Sequence, residues 1–172
     1  MHHGRPAAWT AVVLAAASAG VSAYWLLGGT ALLDTVGGAV ESLARERSGV
    51  ALLLGVAVVL AKLVAAVLGL ALLRRPGRGV RVLALLAGAL LTLWGAANVL
   101  LGGAVLTGLL DVGPVADERA LRWHVLCWDA WFVVWGVALL IALQAGRRAQ
   151  RGGAVEPRST STGSTSSVPD AG

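Results

Sequence analysis

The sequence predicts an all-α fold, an integral membrane four-helix bundle with both N and C termini cytoplasmic. Three observations carry that prediction. Of 172 residues, 57% are hydrophobic and 13% charged, where ordinary soluble domains carry about 25% charged residues. Four stretches are long and apolar enough to span a bilayer, which needs roughly 20 such residues each; they lie at about 7–28, 50–73, 82–103 and 120–146. The arginines, finally, are distributed unevenly between the two ends of these stretches. Residues 1–150 therefore make one bundle, with no length left for a second domain.

The first span begins after MHHGRP. Its basic start, apolar middle and small-residue end at Val21-Ser22-Ala23 are compatible with a cleaved secretory signal. The apolar run continues through Tyr24-Trp25-Leu26-Leu27, however, and an even number of spans suits the arginine pattern, so an uncleaved helix is expected. In the loop that follows, AVESLARER places Val40, Leu43 and Ala44 on one helical face, predicting a short helix at the headgroup level. The second span is uncharged except for Lys62, the only lysine of the chain. Pro76-Gly77 then forces a tight hairpin, making spans two and three antiparallel neighbours. Span three weakens at Gly102-Gly103, and Asp117 and Glu118 stand where the fourth helix starts, favourable to its N-terminal dipole. Residues 151–172 form a Ser/Thr-rich, low-complexity tail expected to be disordered.

A pI near 11 raises nucleic acid as a partner, but the placement of charge argues against it. Arg5, Arg74, Arg75, Arg78, Arg81, Arg147, Arg148 and Arg151 gather at one end of the spans. Arg45, Arg47, Arg119 and Arg122 lie at the other, offset by six carboxylates. Arginine bias of this kind orients a polytopic protein with the richer side in the cytoplasm. A multi-pass protein of the cell membrane is expected. Heavy use of Ala, Leu, Val and Gly, with arginine far outnumbering lysine, matches GC-rich bacterial coding.

A lysine at the centre of a membrane helix costs roughly 2.5–3.5 kcal/mol on insertion scales and is usually buried against a partner. Heights above the inner arginines, at ~1.5 Å per residue, place Asp129 at ~27 Å, Asn98 at ~26 Å and Tyr24 at ~28 Å. Lys62 is rooted at ~18 Å, and snorkelling lifts its ammonium toward the same layer. The four spans thus each offer a polar side chain near one level: Tyr24, Lys62, Asn98 and Asp129. Asp129, the only carboxylate within a span, is the natural partner of Lys62. The competing arrangement has Lys62 facing a water-filled cavity and Asp129 bonded to His124 or Arg122.

In the fourth span His124, Trp128, Trp131 and Trp135 are spaced 4, 3 and 4 apart, one helical stripe. Bulky packing and lipid contact are the first reading of this stripe; a stacking wall for a flat or lipid-like ligand is the second. Trp25 and Trp123 fit the outer aromatic belt. One cysteine, Cys127, excludes an internal disulfide and any CxxC couple. His124 has no second membrane histidine beside it, so no metal or other cofactor is expected, and no hydrolase or nucleotide-binding motif occurs.

YWLLGG at the close of span one and ERALRWHVLCWDAWFVVWG in span four resemble the bacterial membrane family known as domain of unknown function 3995. Tyr24, Trp25, Gly28, Gly29, Arg122, Trp123, His124, Trp128 and Asp129 carry the likeness, which covers about residues 8–146. The resemblance implies a four-helix integral membrane protein and transfers no catalytic residue. The chain is accordingly read as a non-enzymatic membrane protein, with Tyr24, Lys62, Asn98, His124, Trp128 and Asp129 as its polar layer or ligand-binding set. Its expected partners are membrane lipid, and a second copy of itself or another membrane protein. The alternative is a small transporter using a Lys62–Asp129 pair.

Overall fold

The computed structural model describes residues 4–74 and 76–152. The predicted tail from 153 onward and the terminal His2 and His3 lie outside the described residues. Helix α1 spans Gly4–Leu26, and a 3-10 turn follows at Leu33–Thr35. Helix α2 runs Gly38–Glu46, α3 Gly49–Leu72 and α4 Arg78–Leu106. The last span is one continuous rod in three parts: α5 Glu118–Trp123, a π-helical segment His124–Trp128, and α6 Asp129–Gly152. Four of these helices are long and apolar enough to cross a membrane.

Local chemistry explains the boundaries. Ser48 Oγ accepts from Ala51 N at 3.3 Å, and Asp117 Oδ1 accepts from Ala120 N at 2.8 Å, each capping the helix it precedes. Helix α4 runs past the expected weak point at Gly102-Gly103, where Gly102 packs against Val125 and Leu121, and Thr107 Oγ1 closes the end on Gly103 O at 2.8 Å. Gly37 opens α2 with φ +61°, in the region that favours glycine, and a Cβ there would lie 2.8 Å from Ala120 Cβ. This close approach pins the outer loop to the start of the fourth span. Arg119 reinforces it by bonding Asp34 at 3.0 Å.

Helix packing relies on small residues, as expected where lipid removes the usual hydrophobic drive between helices. Helix α1 buries Ala8, Ala11, Ala15 and Ala19. On α4, Gly88, Gly95 and Gly102 recur every seven residues and face the last span; a Cβ on Gly95 would stand 2.5 Å from the backbone oxygen of Asp129. Helix α3 packs mainly on α1 and α4 mainly on α6, with α1 and α6 joined at the centre, while α3 and α4 touch sparingly. The start of α1 abuts the end of α6 through Gly4 and Ala145. Near that same end Trp135, Leu139, Ala11, Ala15, Ala65 and Ala66 form a closed core.

Candidate functional site

Above that core, in the half of the bundle nearer α2, the helices enclose a cavity of about 470 Å³. Ser18, Val21, Ser22 and Trp25 of α1 form one wall, and Ala51, Gly55, Val58 and Lys62 of α3 the next. The fourth span contributes His124, Trp128, Asp129, Trp131 and Phe132. Trp131 and Phe132 also pack on the core beneath, so they make the floor. Val36 and the apolar face of α2 (Val40, Leu43, Ala44), with Arg47 beyond it, make the roof. On the side between α3 and α4 the lining residues are open: Leu54 is 50% and Trp94 62% exposed. In a bilayer that mouth faces lipid.

Lys62 lies on this cavity without an acidic partner among the described residues. Its ammonium donates to Ser22 Oγ at 2.7 Å and to the Ser18 carbonyl at 3.4 Å. The direct Lys62–Asp129 pair expected from heights is not made. Two serines four apart on α1 present one face to α3, and they reach the lysine before any residue of the fourth span does.

Asp129 is instead bonded to His124, through Oδ2 and Nδ1 at 2.9 Å, with side-chain exposures of 5% and 37%. The other ring nitrogen of His124, Nε2, lies 2.9 Å from the Val36 carbonyl. A carbonyl only accepts, so Nε2 carries a hydrogen. The Nδ1–Oδ2 contact needs one more. One hydrogen is thus shared between Nδ1 and Oδ2, and the other is given to the Val36 carbonyl.

The π segment explains this geometry. Five residues along a regular α-helix are about 140° apart, at ~100° per residue. One widened turn, in which Asp129 N bonds back to His124 O, brings the two onto one side. The same turn aims Trp128 at the outer loop. Its indole N–H donates to Thr35 Oγ1 at 3.1 Å, and Thr35 in turn donates to Leu32 O at 2.6 Å. Trp128 meets Trp25 edge-on, with ring centroids 5.6 Å apart. Trp25 therefore turns inward to the cavity rather than sitting in an aromatic belt. Trp131 donates to Leu14 O at 3.2 Å, locking the floor to α1.

Of the six residues singled out from sequence, Lys62, His124, Trp128 and Asp129 line the cavity together. Tyr24 and Asn98 do not join them. Tyr24 folds over Gly29, where a Cβ would collide with its ring, and its hydroxyl accepts from Ala31 N at 3.3 Å. This turn accounts for YWLLGG. Asn98 Nδ2 donates to Trp94 O of its own helix at 2.9 Å. A four-membered polar layer is therefore corrected to two separate nodes, Lys62 with Ser18 and Ser22, and Asp129 with His124. Sequence reasoning missed Ser18, Ser22, Thr35 and Val36. Among the described residues, no three His, Cys, Asp or Glu side chains cluster as a metal site requires.

No curated protein and no solved structure matches the chain. A family model described as "Protein of unknown function (DUF3995)" matches residues 12–139, a span that contains every cavity residue named above. The all-helical architecture with four membrane-length helices agrees with what the likeness in YWLLGG and RWHVLCWD implied, and the chain belongs to the DUF3995 family.

Proposed function

We propose that this chain is a non-enzymatic protein of the cell membrane that holds a small amphipathic molecule in the cavity beneath α2. The arginine bias orients the bundle with α2 outside, so the cavity belongs to the outer leaflet. The observation that supports binding most directly is the cavity itself. Its volume falls in the ~300–1,000 Å³ range of small-molecule sites, and aromatic walls enclose two polar nodes, as such sites are built. Its mouth lies between lipid-facing helices, which favours a ligand drawn from the bilayer.

The non-enzymatic reading rests on the surroundings of Ser22. Ser22 and Lys62 stand at 2.7 Å, as a nucleophile and its base would. Yet Ser22 lies inside α1, where backbone N–H groups are committed to the helix and none is left to receive an oxyanion. The binding reading is preferred to transport through a Lys62–Asp129 pair because Lys62 bonds Ser22 and Asp129 bonds His124. Tryptophan fluorescence of the protein in non-ionic detergent, titrated with a brominated single-chain amphiphile, tests the proposal. Saturable quenching is expected, and Val58→Trp, which fills the cavity, should abolish it. Linear quenching, identical in both proteins, would refute binding.

A further inference from the structure

Resting on that amphiphile-binding reading, we infer that the cavity takes a single-chain amphiphile with an anionic head, carboxylate or phosphate, seated on Lys62. The charges that line the cavity favour an anion. Among the described residues Asp129 is the only carboxylate on its wall, and it is bonded to His124 rather than to Lys62. The two cations that line it, Lys62 and Arg47, make no ion pair among the described residues. The site is therefore electropositive in a low-dielectric setting, where an uncompensated charge is costly and an opposite charge is correspondingly attracted.

Geometry adds direction. An ammonium has three donors, and Ser22 Oγ and Ser18 O use two of them. The third is open to a ligand oxygen. From Lys62 the floor of Trp131 and Phe132 leads toward Trp94 and the lipid-facing mouth, a path for a hydrocarbon chain. The volume, about 470 Å³, lies in the lower half of the ~300–1,000 Å³ range of small-molecule sites. That suits one chain and not a two-chain lipid held whole.

The test uses the full-length protein in non-ionic detergent at neutral pH, with dibromostearic acid and its methyl ester as probes of tryptophan quenching. The acid should bind at least about tenfold tighter than the ester. Lys62→Met should bring the acid down to the level of the ester and leave the ester unchanged. Equal binding of acid and ester by the native protein would overturn the anionic assignment while leaving amphiphile binding intact. Failure of both to quench saturably would overturn both. Because the acid-to-ester comparison needs only the native chain, the inference stays falsifiable if Lys62→Met misfolds. Inorganic phosphate and acetate separate the sources: displacement of the acid at equal concentrations by either free anion would show that the chain plays no part, and none is expected.

Discussion

Replacing His124 by phenylalanine should be the most disruptive single change in the cavity wall, and its cost should depend on Asp129. The carboxylate of Asp129 is 5% exposed and has His124 as its bonding partner. Removing one member of a buried pair costs about 3–5 kcal/mol, since it strands the other. The 37% exposure of the His124 side chain lets the stranded group relax toward the cavity, so ~3 kcal/mol is expected. Asp129→Asn is different. The asparagine amide can donate to Nδ1 while Nε2–H still donates to Val36 O, preserving both contacts and costing less than ~1 kcal/mol.

With both substitutions no charge is stranded, and only the neutral hydrogen bonds are missing, at ~1–2 kcal/mol in total. Additivity would predict about 4 kcal/mol for the double variant, so a coupling of roughly 2 kcal/mol is expected. Unfolding in mixed micelles of graded denaturing strength, followed by tryptophan fluorescence, measures all four proteins. A cost below ~1 kcal/mol for His124→Phe, or additivity within ~0.5 kcal/mol, would refute the pair and the proton count built on it.

Three further outcomes follow from the same contacts. Lys62→Met and Asp129→Asn share no bonding partner, so their effects should add within ~0.5 kcal/mol in the same unfolding assay; coupling above ~1 kcal/mol would restore the direct pair. Gly95→Val places a side chain where even a Cβ would lie 2.5 Å from the Asp129 backbone oxygen. It should cost ~1–3 kcal/mol by forcing α4 off the last span, whereas Gly20→Ala, with nothing within 4 Å, should be neutral or slightly stabilising. Gly29→Ala should displace the Tyr24 ring, break its bond from Ala31 and cost ~1–2 kcal/mol, with a changed Tyr24 environment by aromatic NMR; an unchanged Tyr24 signal would show that the turn does not depend on that contact.

Length and hydropathy made the four spans legible, because bilayer thickness fixes how many apolar residues a span needs. The hairpin at Pro76-Gly77 and the helix in AVESLARER were legible for similarly local reasons. Pairing within the site was not. Heights along straight helices bring Lys62 and Asp129 to one level, but a level says nothing about azimuth. On a regular helix His124 and Asp129 diverge by about 140°. Only the widened turn at His124–Trp128 lets them meet, and that turn leaves no mark in apolar periodicity. Ser18 and Ser22 are small residues on the cavity wall. Their spacing of four, facing a buried lysine, was the signal that they also bond. Tyr24 and Asn98 share the level of the cavity yet bond within their own neighbourhoods, so equal height placed them wrongly.

The cavity and the missing Lys62–Asp129 bond have one physical cause. Below it the bundle closes because Ala8, Ala11, Ala15, Gly88 and Gly136 allow backbones to approach, and Trp135 and Leu139 fill what remains. Above it, α1 changes from alanine to Ser18, Val21, Ser22 and Trp25, and the last span offers Trp128 and Trp131, too large for the same approach. A salt bridge from Lys62 to Asp129 would draw α3 onto the last span and close the space despite them. Each charge has a nearer partner instead: serines on α1 hold the lysine, and a histidine one π turn away holds the aspartate. Beyond the core contacts of Ala65 and Ala66, helix α3 is left bound to α1 and standing clear of the last span, with the Lys62 ammonium directed into the gap. The same His124 that bonds Asp129 also grips Val36 in the roof. The residue that holds Asp129 away from Lys62 thus also fastens the cover over the ligand that Lys62 would hold.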